Sequence, residues 1–129
     1  MSEQDISPRA SVLLVEDEAI VAVTLKRALE MAGYAVPKVV SRGAEVAAAV
    51  KETEPDAIVM DILLADQVTG IEAAQCLRSF SHVPIVFVTG YPQAEILEEV
   101  GRIRGTRILT KPVPTSLVIE IIESELSRV

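Results

Sequence analysis

The run Val12-Leu13-Leu14-Val15-Glu16-Asp17-Glu18 decides how this chain is read: four branched apolar residues end abruptly in three acids. A segment so short and so uniformly apolar fits a strand covered on both faces, because a half-exposed strand would alternate apolar and polar side chains. Four further apolar runs follow: Val36 to Val40, Ala57 to Met60, Ile85 to Val88, and Ile108 to Leu109 with its flanks. Between them the spacing becomes helical. Ile20, Val23, Leu25 and Leu29 predict a first helix closed by Gly33, where a glycine takes the left-handed C-cap conformation. Ala44 to Lys51 predicts a second, stopped before Pro55, and Ile71 to Leu77 a third, opened by Gly70. Ala94 to Val100 predicts a fourth, ended by Gly101, and Pro114 to Leu126 a fifth, with proline near the first turn, where its missing N–H costs nothing.

Strand and helix therefore alternate five times along 129 residues. Crossovers long enough for parallel neighbours imply an α/β sheet with helices on both faces. The expected architecture is a flavodoxin-like (βα)5 doubly wound parallel sheet with strand order 2-1-3-4-5. One domain is expected over residues 11–129, preceded by a short tail over residues 1–10.

A hydrophobic content of 50% with 24% charged residues is that of a folded chain. The balance of 12 basic against 19 acidic residues, a net charge of −7, disfavours nucleic acid, whose phosphates are bound by Lys and Arg. No apolar run approaches the roughly 20 residues that span a bilayer, so no membrane association and a cytoplasmic location are expected. Cys76, the single cysteine, cannot form an intrachain disulfide, and its place in the periodic stretch predicts a small core residue. His82 lies between a helix and a strand, where a solvent-exposed loop residue without a chemical role is expected.

In an open α/β sheet the ligand site lies beyond the carboxyl ends of the strands. Those positions hold Glu16-Asp17-Glu18 after the first apolar run, Asp61 after the third, Thr89-Gly90 after the fourth and Lys111-Pro112 after the fifth. Crowded carboxylates repel by about 4 kcal/mol for two charges roughly 4 Å apart at an effective dielectric near 20. Mg²⁺, held by one or two carboxylates with waters and phosphate oxygens, is the natural counter-charge, and Lys111 supplies a second. With the metal bound, Asp61 can act as a nucleophile toward phosphorus, while Thr89 and Lys111 stabilise the phosphoryl oxygens. Singly, each feature has a bland reading. The three acids could be a solvated N-cap and first helical turn, Thr89-Gly90 a turn, and Lys111-Pro112 a strand end. Asp61 is harder to dismiss, since a buried unpaired acid is costly.

Together these motifs resemble the bacterial receiver family, from Val12 to about Leu126. Val12 to Glu18 is similar to that family's acidic-pair strand, Asp56-Ala-Ile-Val-Met-Asp61-Ile to its phosphoacceptor strand, Pro84 to Tyr91 to its threonine strand, and Leu109-Thr-Lys111-Pro112 to its Lys-Pro ending. The resemblance implies that Asp17 contacts Mg²⁺ directly, Glu16 directly or through water, Asp61 through a carboxylate oxygen, and the Leu63 backbone carbonyl as a further ligand. It also implies a histidine kinase or phosphotransfer protein as donor and a downstream protein, not identified by the sequence, as target. The Phe87-Val-Thr89-Gly90-Tyr91 run resembles a stand-alone subset linked to general stress signalling. Two positions depart from the family pattern. Ile108 stands where an aromatic switch residue is usual, which moves the expected switch to Thr89 and Tyr91. Leu63 stands where many members carry a polar side chain; with Tyr91 it puts bulk and no carboxylate or amide where attacking water would be oriented, a shield that predicts slow loss of the phosphoryl group.

Rival functions are weaker. A flavin- or nucleotide-binding protein needs a first loop of backbone N–H donors around phosphate, which Glu16-Asp17-Glu18 would repel. A phosphohydrolase with an aspartyl nucleophile needs a second acid two residues on, where Leu63 stands, so the chain is not expected to be an enzyme acting on an external substrate. A receiver-like binding module that is not phosphorylated is the remaining alternative, and Mg²⁺ binding separates the two.

Overall fold

The computed structural model describes residues 9–90 and 93–127. Its core is a five-stranded sheet in the order β2-β1-β3-β4-β5, built from β1 (Val12–Val15), β2 (Val39–Val40), β3 (Ala57–Asp61), β4 (Ile85–Thr89) and β5 (Thr106–Thr110). Every neighbouring pair is parallel. The helices are α1 (Ala19–Met31), α2 (Val46–Thr53), α3 (Gly70–Leu77), α4 (Ala94–Gly101) and α5 (Thr115–Leu126). The expected doubly wound topology is the one observed.

The two faces follow from the two-residue period of a strand. Leu13, Val15, Ile58, Met60, Ile85 and Phe87 share one core with residues of α2, α3 and α4. Their alternates Val12, Leu14, Ala57, Val59, Val86 and Val88 share a second with Ala22, Leu25 and Leu29 of α1 and Val118 and Ile122 of α5. Every residue of β1, β3 and β4 is buried, which is why these strands read as continuous apolar runs. After α1 the chain reverses at Gly33, whose φ of +98° is open to glycine at little cost.

Several local expectations need correction. The second strand was expected over Val36 to Val40 but pairs only at Val39–Val40, with an isolated bridge between Ser11 and Ala35 upstream. Pro37 lies between these two points and has no N–H to give a ladder. The second helix begins as a 3₁₀ turn, Gly43–Glu45, before α2 proper. Pro114 is the N-cap of α5 rather than part of its first turn. Cys76 is exposed, because α3 buries Ile71, Ala73, Ala74 and Leu77, and a residue five positions after Ile71 falls outside that face. Arg9 and Ala10, expected as the end of a tail, are fastened to the fold through Arg9 N–H to Gly33 O and Ala35 N–H to Ala10 O, both at 2.8 Å. His82 is exposed, as expected.

Candidate functional site

Because all five strands run the same way, their carboxyl ends share one edge of the sheet. Asp61 is the last residue of β3 and Thr89 the last of β4, while Glu16 follows β1 and Lys111 follows β5. Asp17, Glu18, Asp61, Leu63, Thr89, Gly90 and Lys111 line a pocket of about 350 Å³ there. The Lys111 amide donates to the Thr89 carbonyl at 2.7 Å, which ties the two strand ends together.

Glu16, Asp61 and Thr89 are the buried polar residues of the described chain, and two of the three are acids. Lys111 supplies the charge that makes their burial tolerable. Its Nζ lies 2.9 Å from Asp61 Oδ2, 3.5 Å from Glu16 Oε1 and 3.8 Å from Glu18 Oε1. The Glu18 amide donates to Glu16 Oε2 at 3.1 Å and the Leu63 amide to Asp61 Oδ1 at 3.3 Å. Burial pushes the Glu16 carboxyl up to about 7, with Asp61 adding to the rise, while the Glu18 amide and Lys111 oppose it. For Lys111, burial favours the neutral amine, but its hydrogen bond to Asp61 and the charges of Asp61, Glu16 and Glu18 outweigh that and raise its pKa. For Glu16 the loss of solvation outweighs what Lys111 and the Glu18 amide return, and its carboxyl is reluctant to ionise.

Carboxylate oxygens of Glu16, Glu18 and Asp61 lie within 4.8 Å of one another. An all-oxygen donor set with excess negative charge suits a hard divalent cation, so the residues present fit Mg²⁺. The sequence placed Glu16, Asp17 and Asp61 around the metal. The structure gathers Glu16 and Asp61 with Glu18, and both Asp17 and Glu18 are exposed on the wall of the same pocket. Glu18, itself exposed, adds a carboxylate oxygen to this cluster that the sequence reading did not include among the metal's donors. Glu18 is also the N-cap of α1, without a side-chain capping hydrogen bond, so the solvated N-cap reading holds for it as well.

Leu63 is 52% exposed and lines the pocket. Ile108 is partly buried against the core containing its cross-strand neighbour Phe87. Tyr91, the expected switch partner of Thr89, lies outside the described residues. Gly70, read from sequence only as a helix opener, also shapes the site: a Cβ there would stand 2.3 Å from the Asp61 carbonyl oxygen. The turn back into α3 can pass this close to the central acid only without a side chain.

An α/β domain with an acid-lined pocket and a lysine at the carboxyl edge of its sheet defines the class. Residues 12–123 match the family described as the response regulator receiver domain, and the chain belongs to that family. It is thus a receiver domain of the kind found in two-component response regulators. It is 29% identical over 127 residues to the transcriptional regulatory protein PdtaR of Mycobacterium tuberculosis, covering 98% of this chain and 62% of that protein. It is 30% identical over 116 residues to the phyllosphere-induced regulator PhyR of Methylorubrum extorquens, covering 89% of this chain and 43% of that one. The chain therefore spans only part of each of these relatives. The crystal structure of a response regulator receiver protein from Sinorhizobium medicae matches with a TM-score of 0.81 at 28% identity, covering 92% of this chain and 94% of the other.

Proposed function

We propose that this domain is a Mg²⁺-dependent phosphorylation switch in which Asp61 accepts a phosphoryl group from a histidine kinase or a phosphotransfer protein. The observation that carries the reading is the Lys111 to Asp61 contact of 2.9 Å at the centre of a cluster of acids. An Asp61 carboxylate oxygen forms the new bond to phosphorus as the bond to the donor's imidazole nitrogen breaks. The electron pair leaves with the imidazole, which stays protonated on its other nitrogen. Lys111, already directed at Asp61 Oδ2, follows the charge onto the phosphoryl oxygens, and the Thr89 hydroxyl at the end of the adjacent strand supports one of them. Glu16, Glu18 and Asp61 would hold the metal, with Asp17 and the Leu63 carbonyl at the pocket wall as further donors. When bound, Mg²⁺ supplies charge compensation for the acids and the transferring group.

The domain turns over no external substrate in this reading: the phosphoryl group is the signal, and it leaves the domain by contact with another protein. The net charge of −7 favours a protein target over nucleic acid. The test is binding of Mg²⁺ with beryllofluoride, a phosphoryl mimic that needs no covalent chemistry. Amide resonances of Leu63, Thr89 and Lys111 should move together only when both are present. Movement without Mg²⁺, or none with it, would favour a receiver-like binding module that is not phosphorylated.

A further inference from the structure

The loop over residues 62–69, which leaves Asp61, is fastened at more points than a connection of its length requires. Its ends are closed by the Gly70 amide donating to Ile62 O at 2.7 Å. Its middle is tied to the start of the 3₁₀ turn. The Ala65 amide donates to Ser41 O at 3.0 Å, and the Asp66 carboxylate accepts from the Gly43 amide at 2.8 Å and the Ala44 amide at 3.0 Å. Gly43 permits this approach, since a Cβ there would stand 2.2 Å from Val68 O. The amide bonds, that of Ala44 foremost, hold the Asp66 carboxyl below its ordinary range. Between the tied points, Leu63 borders the pocket and its amide meets Asp61 Oδ1. Asp66 itself is not among the residues that line the pocket.

We propose that Asp66 is a positioning residue for the phosphoacceptor site: by tying the loop to the Gly43 and Ala44 amides it sets the Leu63 backbone against Asp61, and thereby the site's affinity for Mg²⁺. This rests on the Mg²⁺ reading given above. A clamp of this kind could also serve only the fold, so the test compares metal affinity with stability. MgCl₂ is titrated calorimetrically into the full chain as wild type, Asp66→Ala, Asp66→Asn and Gly43→Ala, with Ile122→Val as a control. Ile122 is fully buried in the α5 core, away from the site.

Asp66→Ala should weaken Mg²⁺ binding about tenfold, the lower end of what losing an outer support of a metal site costs. Asp66→Asn keeps one acceptor oxygen and should fall between Asp66→Ala and wild type. Gly43→Ala, which forces Val68 away, should weaken binding in the same direction. Ile122→Val should lower the melting temperature and leave the affinity unchanged. If Asp66→Ala and Asp66→Asn bind Mg²⁺ as tightly as wild type, the clamp is structural and the proposal fails; should Asp66→Ala not fold, Asp66→Asn decides. If wild type binds no more Mg²⁺ than an Asp61→Ala variant, the metal reading fails first and takes this proposal with it.

Discussion

Replacing Lys111 by methionine removes the one cation that, among the described residues, faces Asp61, Glu16 and Glu18 together, at 2.9, 3.5 and 3.8 Å. Each such pair is worth about 4 kcal/mol at roughly 4 Å and an effective dielectric near 20, before the cost of desolvating the charges. Removing one partner of a buried ion pair costs about 3–5 kcal/mol, because the other charge is left uncompensated. The Lys111 side chain is 23% exposed, so the lower figure of about 3 kcal/mol applies. For a domain of this size that corresponds to a melting temperature lower by about 10 °C. The loss depends on pH in a defined direction. Below about 7 Glu16 is largely protonated, and one of the uncompensated charges is already gone. Thermal unfolding followed by circular dichroism, without metal, should therefore show a larger deficit for Lys111→Met at pH 8 than at pH 6. Added Mg²⁺ should recover more stability in the variant than in wild type. A variant that melts with wild type at pH 8 without metal would show that the acids are not held by Lys111.

Glu16 gives a second pH-dependent outcome. Its folded-state value of about 7 lies above the ordinary 4.5, so the folded protein holds the proton more tightly than the unfolded chain does. Stability of the metal-free protein should fall as pH rises across that interval and level off above it. Glu16→Gln should flatten this slope and be the more stable protein at pH 8, as measured by urea unfolding at several pH values. Leu63→Asn places an amide at the exposed edge of the pocket where water can be oriented. It should speed loss of the phosphoryl group, and an unchanged or slower rate in a phosphate-release assay would remove Leu63 from the shield.

How far the sequence reaches can be read from particular residues. Val12 to Val15, Ala57 to Met60 and Ile85 to Val88 announce buried parallel strands because both of their faces are covered, and the doubly wound sheet follows from them. Asp61, Thr89 and Lys111 are legible for the same reason: each ends or directly follows a strand, so the topology alone carries them to one edge. The acids after β1 are less legible. There the chain turns from strand to helix, with Glu18 still extended at φ −87° and ψ 114°, and which carboxylate faces inward depends on dihedral angles that no residue pattern specifies. Asp66 was invisible because its partners Gly43 and Ala44 lie 23 and 22 residues away, and a lone acid in a loop looks like any solvated one. Cys76 misled for the opposite reason, since membership of an apolar stretch does not fix which side of a helix a residue occupies.

The role assigned to Asp61 is open to one direct measurement, intact-mass spectrometry of the protein after incubation with a small-molecule phosphodonor. Wild type with Mg²⁺ should gain the mass of one phosphoryl group, and wild type with a chelator should gain none. Asp61→Asn should stay unmodified under both conditions. The same single addition on Asp61→Asn, or on wild type stripped of metal, would contradict a phosphoacceptor at the end of β3.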